Sequence, residues 1–241
     1  MKWLIEMNIV HRGDHDLESC PENSLGAFRR AAEKGYAMEL DVWMLKDKSL
    51  VVFHDDHLGK MTGYNKNIKD CTYDEIKSLK LLNSEEKIPL FKDVLNMISG
   101  RVPLMIELKN TGKPGPLEEQ VYELLKGYNG EYVIQSFNPL SVGWFKKNAP
   151  EVIRGQLATD YAGGNISYLK RFMLRNLMLD FISRPDFIIY DIDCLKRKIV
   201  KYKRLRGKLV LGYTAKNKTD YDKAMNICRN VIFEGFDPND K

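Results

Sequence analysis

Eight short apolar runs, separated by seven stretches of helical periodicity, leave few folds open to this chain. The strand candidates cover residues 8–11, 38–41, 103–108, 132–137, 153–157, 186–190, 208–213 and 231–234. Several are apolar without interruption, the pattern of strands buried on both faces of a parallel sheet. Helical spacing covers 24–34, 91–99, 116–125, 139–148, 166–179, 195–205 and 219–229. The first of these follows the turn Pro21-Glu22-Asn23 and stops at Gly35, a residue that readily closes a helix C-terminus. Strand–helix alternation of this kind predicts the α/β class, as a TIM-type (β/α)8 barrel lacking a clear last helix. With 241 residues, 44% of them hydrophobic, the chain has enough apolar material for one such core. A single domain over 1–241 is expected, with an insertion at about 42–90.

The insertion follows from a spacing conflict. A ninth apolar run, 50–54, begins only about eight residues after Asp41, too few for a parallel crossover. Residues 42–45 and 50–54 are therefore expected to pair as an antiparallel hairpin through Lys46-Asp47-Lys48-Ser49. Such a hairpin returns His54 to the level of Asp41, so that both face one pocket. The following stretch, 55–90, is long for a connection and carries one predicted helix, 73–81, with Thr72 as its N-cap. It reads equally well as a substrate wall or as a plain surface insertion.

Polar residues gather at the carboxyl ends of the predicted strands, where barrel active sites form. His11-Arg12-Gly13 ends the first strand; Glu39 and Asp41 lie two apart on the second; Glu107 and Lys109 lie two apart on the third; Gln135 is on the fourth. Residues two apart on a strand share a face. Met38, Leu40 and Val42 bracket the first acid pair, and Ile106 and Leu108 bracket Glu107, so these carboxylates sit in apolar surroundings and need partners. Three carboxylates from adjacent strands make an oxygen site for one hard divalent cation, Mg²⁺ or Ca²⁺. His11 and His54 beside them form an acid–base pair suited to neutral pH. Arg12 offers a planar fork to phosphate oxygens and Lys109 a point charge. Together these groups point to phosphate-ester chemistry.

The same residues resemble the glycerophosphodiester phosphodiesterase family, whose barrel is like that of the phosphatidylinositol-specific phospholipases C. The resemblance rests on His11-Arg12-Gly13, Pro21-Glu22-Asn23-Ser24, Glu39-Leu40-Asp41-Val42, Val51-Val52-Phe53-His54-Asp55, Met61-Thr62-Gly63, Ile88-Pro89-Leu90, Ile106-Glu107-Leu108-Lys109 and Gln135-Ser136-Phe137. It is dense over the first 140 residues or so and looser afterwards, through Gly212-Tyr213-Thr214. It implies metal-dependent hydrolysis of a small-molecule glycerophosphodiester to glycerol 3-phosphate and an alcohol. Glu39, Asp41 and Glu107 would then be metal ligands, His11 and His54 the general acid and base, Arg12 and Lys109 phosphate ligands, and Glu22 and Gln135 further pocket residues. The alternatives are a lysophospholipase D-like phosphodiesterase and a catalytically silent barrel that only binds phosphodiesters. Departures from the family pattern fall at the pocket rim: an acidic loop with Asp14, Asp16 and Glu18, Leu45 in place of Thr, and Tyr213 in place of Trp.

Composition closes off other classes. The net charge of +5, from 38 basic and 33 acidic residues, favours an anionic ligand mildly and gives no reason to expect a nucleic-acid partner. No apolar run reaches the roughly 18–20 residues of a membrane span, and Glu6 interrupts the apolar start of the chain, so no signal peptide is read. A cytoplasmic enzyme of lipid and glycerol metabolism is expected, with Cys20, Cys71, Cys194 and Cys228 as buried, reduced thiols. The basic run 195–208 reads as a solvated helix face. The run 166–182 holds more apolar residues than one buried stripe needs, which leaves core packing, a subunit interface and membrane contact all open. Oligomeric state is not legible.

Overall fold

A computed structural model describes residues 1–162 and 166–240. They cluster into two compact units, 9–132 and 1–8 with 133–241. The second unit begins with a short helix that the sequence reading missed, α1 (Trp3–Glu6). Asn230 anchors it, its Nδ2 donating to the carbonyls of Leu4 (3.0 Å) and Met7 (2.7 Å).

In the 9–132 unit the chain runs through β1 (Ile9–Val10), α2 (Leu25–Glu33), β2 (Ala37–Met44) and β3 (Leu50–Val52). Three short helical turns follow, α3 (Gly59–Thr62), a 3₁₀ turn at Ile68–Asp70, and α4 (Tyr73–Ile76). The unit continues with α5 (Phe91–Ile98), β4 (Leu104–Leu108) and α6 (Pro116–Lys126). Strands β1 and β4 flank β2 in parallel. Strand β3 pairs antiparallel with the distal half of β2, Val42 against Val52 and Met44 against Leu50. This is the predicted hairpin. Its return brings the Phe53 amide onto the Asp41 carbonyl at 3.0 Å, level with the acid as the spacing required.

The 55–90 stretch is neither loose nor featureless. Trp43, Phe53, Leu58, Ile68, Ile76 and Leu81 are among the side chains of a small core that the insertion closes within itself. The predicted helix 73–81 is correct only at its start. The Glu75 carboxylate accepts from the Thr72 amide at 2.7 Å, but the helix stops at Ile76. Beyond it, Lys80 bridges Lys87 in antiparallel fashion, and the turn delivers Leu81 into the insertion core. Burial of that side chain outweighs continuation of the helix.

In the other unit β5 (Tyr132–Ser136), α7 (Pro139–Asn148), β6 (Arg154–Ala158), α8 (Tyr168–Arg175), α9 (Asp180–Ser183), β7 (Phe187–Asp191), α10 (Lys198–Leu205), β8 (Leu209–Ala215), α11 (Lys218–Met225) and β9 (Val231–Phe233) alternate. Strands β5 to β9 pair in parallel in sequence order. With β1, β2 and β4 they give the eight parallel strands of a (β/α)8 barrel. The predicted helix 166–179 divides into α8 and α9, because Leu177 turns inward, buried, with a left-handed backbone (φ 52°). The predicted helix 195–205 starts three residues late, after a 3₁₀ turn at Ile192–Cys194. Among the described residues, no helix is long and apolar enough to cross a membrane. All four cysteines are free. Cys71 and Cys228 are buried as expected, whereas Cys20 and Cys194 are only half-buried.

Candidate active site

All but one of the sequence-predicted site residues lie in the 9–132 unit. Glu39 and Asp41 project from β2, and the parallel register sets Asp41 beside Glu107 of β4. Each of the three offers an oxygen, and these atoms all lie within 4.8 Å of one another. All three side chains are buried. Such crowding has an electrostatic signature. Burial, with repulsion from Asp41 and Glu107, pushes the Glu39 carboxyl well above its ordinary value. Glu107 is likewise pushed up to about 7, by burial first and by Asp41. Asp41 is equally buried, but Lys109 and Arg12 together outweigh that and hold it below the usual carboxylate range.

The two cations sit among the acids. The Lys109 ammonium lies 3.1 Å from Asp41 Oδ1 and 2.9 Å from Glu107 Oε1. The Arg12 guanidinium reaches Glu22 Oε1 at 2.8 Å and Asp41 Oδ2 at 3.4 Å. Arg12 has a left-handed backbone (φ 56°), an uncommon conformation for a residue with a side chain, and Gly13 follows at φ 82°. A side chain at Gly13 would meet the Ala27 backbone at 2.9 Å, so the turn that aims Arg12 requires glycine there. The Asn23 amide donates to the Arg12 carbonyl at 3.0 Å and closes this turn.

His11 places Nε2 3.9 Å from Glu39 Oε2. His54, on the return of the hairpin, turns Nδ1 to Asp55 Oδ1 at 2.7 Å, and its own carbonyl accepts from the Trp43 indole at 3.2 Å. Burial lowers the His54 imidazole below its ordinary value, helped by the positive Lys109 and Arg12 and opposed by Asp41 and Asp55. Gln135 is the exception among the predicted residues: it belongs to the other unit, buried on β5.

Two contributors were not assigned from sequence. Asn23 donates its side-chain amide to Asp41 Oδ2 at 2.8 Å from a buried, left-handed position (φ 58°). Asp55 fixes the His54 ring. Both sit inside motifs already singled out, Pro21-Glu22-Asn23 and His54-Asp55, but sequence shows neither the fold-back of the first nor the ring orientation in the second.

The donor set fits a divalent cation. With all four ionised, Glu22, Glu39, Asp41 and Glu107 outnumber the cations Arg12 and Lys109 by two, and a divalent cation would supply the positive charge that favours the ionised forms of Glu39 and Glu107. Three oxygen ligands with no sulfur or imidazole among them favour a hard ion.

Known proteins resemble this chain in sequence and in fold. A glycerophosphodiester phosphodiesterase of Caldanaerobacter subterraneus subsp. tengcongensis is 38% identical over 169 residues, covering 65% of this chain and 67% of that one. A human lysophospholipase D is 32% identical over 143 residues, covering 54% of this chain and 44% of its own. The fold matches a phosphodiesterase of Oleispira antarctica, solved in complex with the product sn-glycerol-3-phosphate, with TM-score 0.77 at 23% identity over 97% of this chain and 94% of that chain. The profile of the glycerophosphoryl diester phosphodiesterase family matches residues 11–236, nearly the whole sequence, and the chain belongs to that family.

Proposed function

We propose that this protein hydrolyses glycerophosphodiesters to glycerol 3-phosphate and an alcohol, with His11 and His54 as the proton-transferring pair. The reaction class follows from the family. The assignment of residues rests on one observation above all: three buried carboxylates converge within 4.8 Å, with His11 against Glu39.

Glu39, Asp41 and Glu107 would hold a divalent cation, Mg²⁺ or Ca²⁺, which when bound supplies positive charge to the phosphoryl oxygens. Arg12, its guanidinium oriented by Glu22 and Asp41, binds a phosphate oxygen and stabilises the negative charge that develops there. Lys109 adds a second positive contact from between Asp41 and Glu107. His54, kept neutral by burial, starts with a free ring nitrogen and takes the proton of the attacking hydroxyl. That hydroxyl belongs to water, or to the glycerol 2-position, in which case a cyclic phosphate forms first and water then opens it to glycerol 3-phosphate. His11, whose Nε2 lies 3.9 Å from Glu39 Oε2, returns a proton to the leaving alcohol oxygen. Glu22 lines the pocket beside Arg12.

The test is release of glycerol 3-phosphate from glycerophosphocholine and glycerophosphoethanolamine. Chelator-treated protein is assayed with Mg²⁺, Ca²⁺ or Mn²⁺ restored in turn. Release only with added metal supports the reading and identifies the working ion. Full release without metal overturns the role of the three acids. A second panel of lysophospholipids is justified by the human relative named lysophospholipase D; turnover confined to that panel would make this chain a lipid-directed member of the family.

A further inference from the structure

Within the 133–241 unit, apolar side chains are placed in water where a core-packed helix would bury them. No residue of α8 is buried. Tyr168 is 76% exposed, Leu169 65% and Phe172 39%. At 100° per residue these three fall within one quadrant or so of the helix. Phe181 on α9 and Leu205 on α10 are exposed as well, at 70% and 77%.

The helices are joined by ion pairs. Asp160 meets Arg171 and Arg175 of α8 and Arg197 at the start of α10. Asp180 of α9 pairs with Lys203 of α10. On α10, Lys198, Lys201, Tyr202 and Leu205 recur at three- and four-residue spacing and are all exposed, so one face mixes ammonium groups with an aromatic ring and a leucine. Residues 168–208 carry twelve Lys and Arg against four Asp, a net +8 in a chain whose total is only +5. The charge of the whole protein is thus concentrated beside its exposed apolar residues.

We propose that α8, α9 and the outer face of α10 form a docking surface for an anionic lipid bilayer. Apolar side chains enter the headgroup boundary and lysines reach lipid phosphates. A second copy of the chain fits less well, because a two-fold contact would set one basic surface against another. Nucleic acid would use the charge but would leave Leu169, Phe181 and Leu205 in water. The proposal does not depend on which diester the site hydrolyses.

Flotation with vesicles of equal parts phosphatidylglycerol and phosphatidylcholine tests it. The full-length protein is expected to float with these vesicles and to stay behind with phosphatidylcholine alone. Raising the salt should release it, as should Lys198→Glu with Lys201→Glu. Leu169→Ser with Phe172→Ser should reduce the bound fraction at least about fivefold. Both variants should hydrolyse a soluble diester at the wild-type rate, which shows that they are folded. Flotation that ignores lipid charge overturns the proposal, as does no flotation at all. So does a dimer, seen by sedimentation, that the same substitutions dissociate. Absence of diester hydrolysis by the wild type would count against the proposed reaction and leave the flotation result standing.

Discussion

The hairpin insertion at 42–90 interrupts the strand–helix repeat and the segment 168–181 belongs to it, and both are rich in apolar residues. Their fates differ. Leu58, Ile68 and Leu81 of the insertion are withdrawn from water almost completely, while Leu169, Phe172 and Phe181 of the other segment remain in it. The insertion doubles back on itself. Backbone bridges at Val51–Leu90, His57–Asn67 and Lys80–Lys87 tie its strands and turns together, and a small core closes between them. The segment 168–181 is two short helices with a break at Leu177, held laterally by arginines and a lysine on Asp160 and Asp180. Apolar content alone therefore does not decide burial. What decides it is whether the chain returns to cover its own side chains.

Only the first of these regions carries a residue of the proposed proton-transfer pair, and that is the largest expected difference. His54→Ala should lower kcat by about 100- to 10,000-fold, the range for loss of an acid or base group, and His11→Ala should do the same. Leu169→Ser should leave kcat unchanged. Steady-state hydrolysis of glycerophosphocholine reads all three. Near-wild-type turnover in both histidine variants would remove the proposed proton-transfer pair.

Stability should divide along the same line. Leu58→Ala empties part of the insertion core and is expected to cost about 2–5 kcal/mol. Leu169→Ser changes a side chain already in water and should shift stability by less than about 0.5 kcal/mol. Urea unfolding of the two variants measures the difference. Equal and small effects would mean that the insertion core does not hold the hairpin, and with it His54, in place.

The sequence disclosed these two regions unequally, for physical reasons. The barrel strands were legible because strands buried on both faces must be apolar almost throughout. The site was legible because Glu39, Asp41 and Glu107 interrupt those runs where a charge needs a partner. The return of His54 followed from a crossover too short to be parallel. Asn23 escaped notice because its contact with Asp41 spans 18 residues and depends on a left-handed backbone that no local pattern announces. The end of α4 was misplaced because helical periodicity continues through Leu81, whereas the demand of a tertiary core at that residue is invisible locally. The break at Leu177 is hidden in the same way.

A finer test concerns Asp55, which follows His54 directly and acts as a positioning residue. Its hydrogen bond to Nδ1 fixes the ring and opposes the burial that lowers the imidazole. Asp55→Asn keeps a hydrogen-bonding group but removes the charge. The neutral form of His54 is then favoured further, so the acid limb of the kcat profile should move to lower pH, with kcat itself down about 10- to 100-fold. In the wild type that limb should already lie below the ordinary histidine value of about 6.5. An acid limb that moved upward in Asp55→Asn would mean that His54 is not the group whose neutral form is needed.

The smallest effect separates burial from region. Cys71 lies in the insertion core and Cys228 behind α11, and burial pushes both thiols up, Cys228 to about 11. At pH 7.5 a thiol at about 11 has roughly 300-fold less thiolate than one at the ordinary value of about 8.5. Iodoacetamide should therefore modify half-buried Cys20 and Cys194 first and reach the other two only after unfolding, one of each kind from each compact unit. If Cys71 reacted early while Cys228 did not, the insertion would open on its own at neutral pH. The contrast with 168–181 would then be one of degree, since a core that opens without the rest of the chain exposes its apolar side chains as the other segment always does.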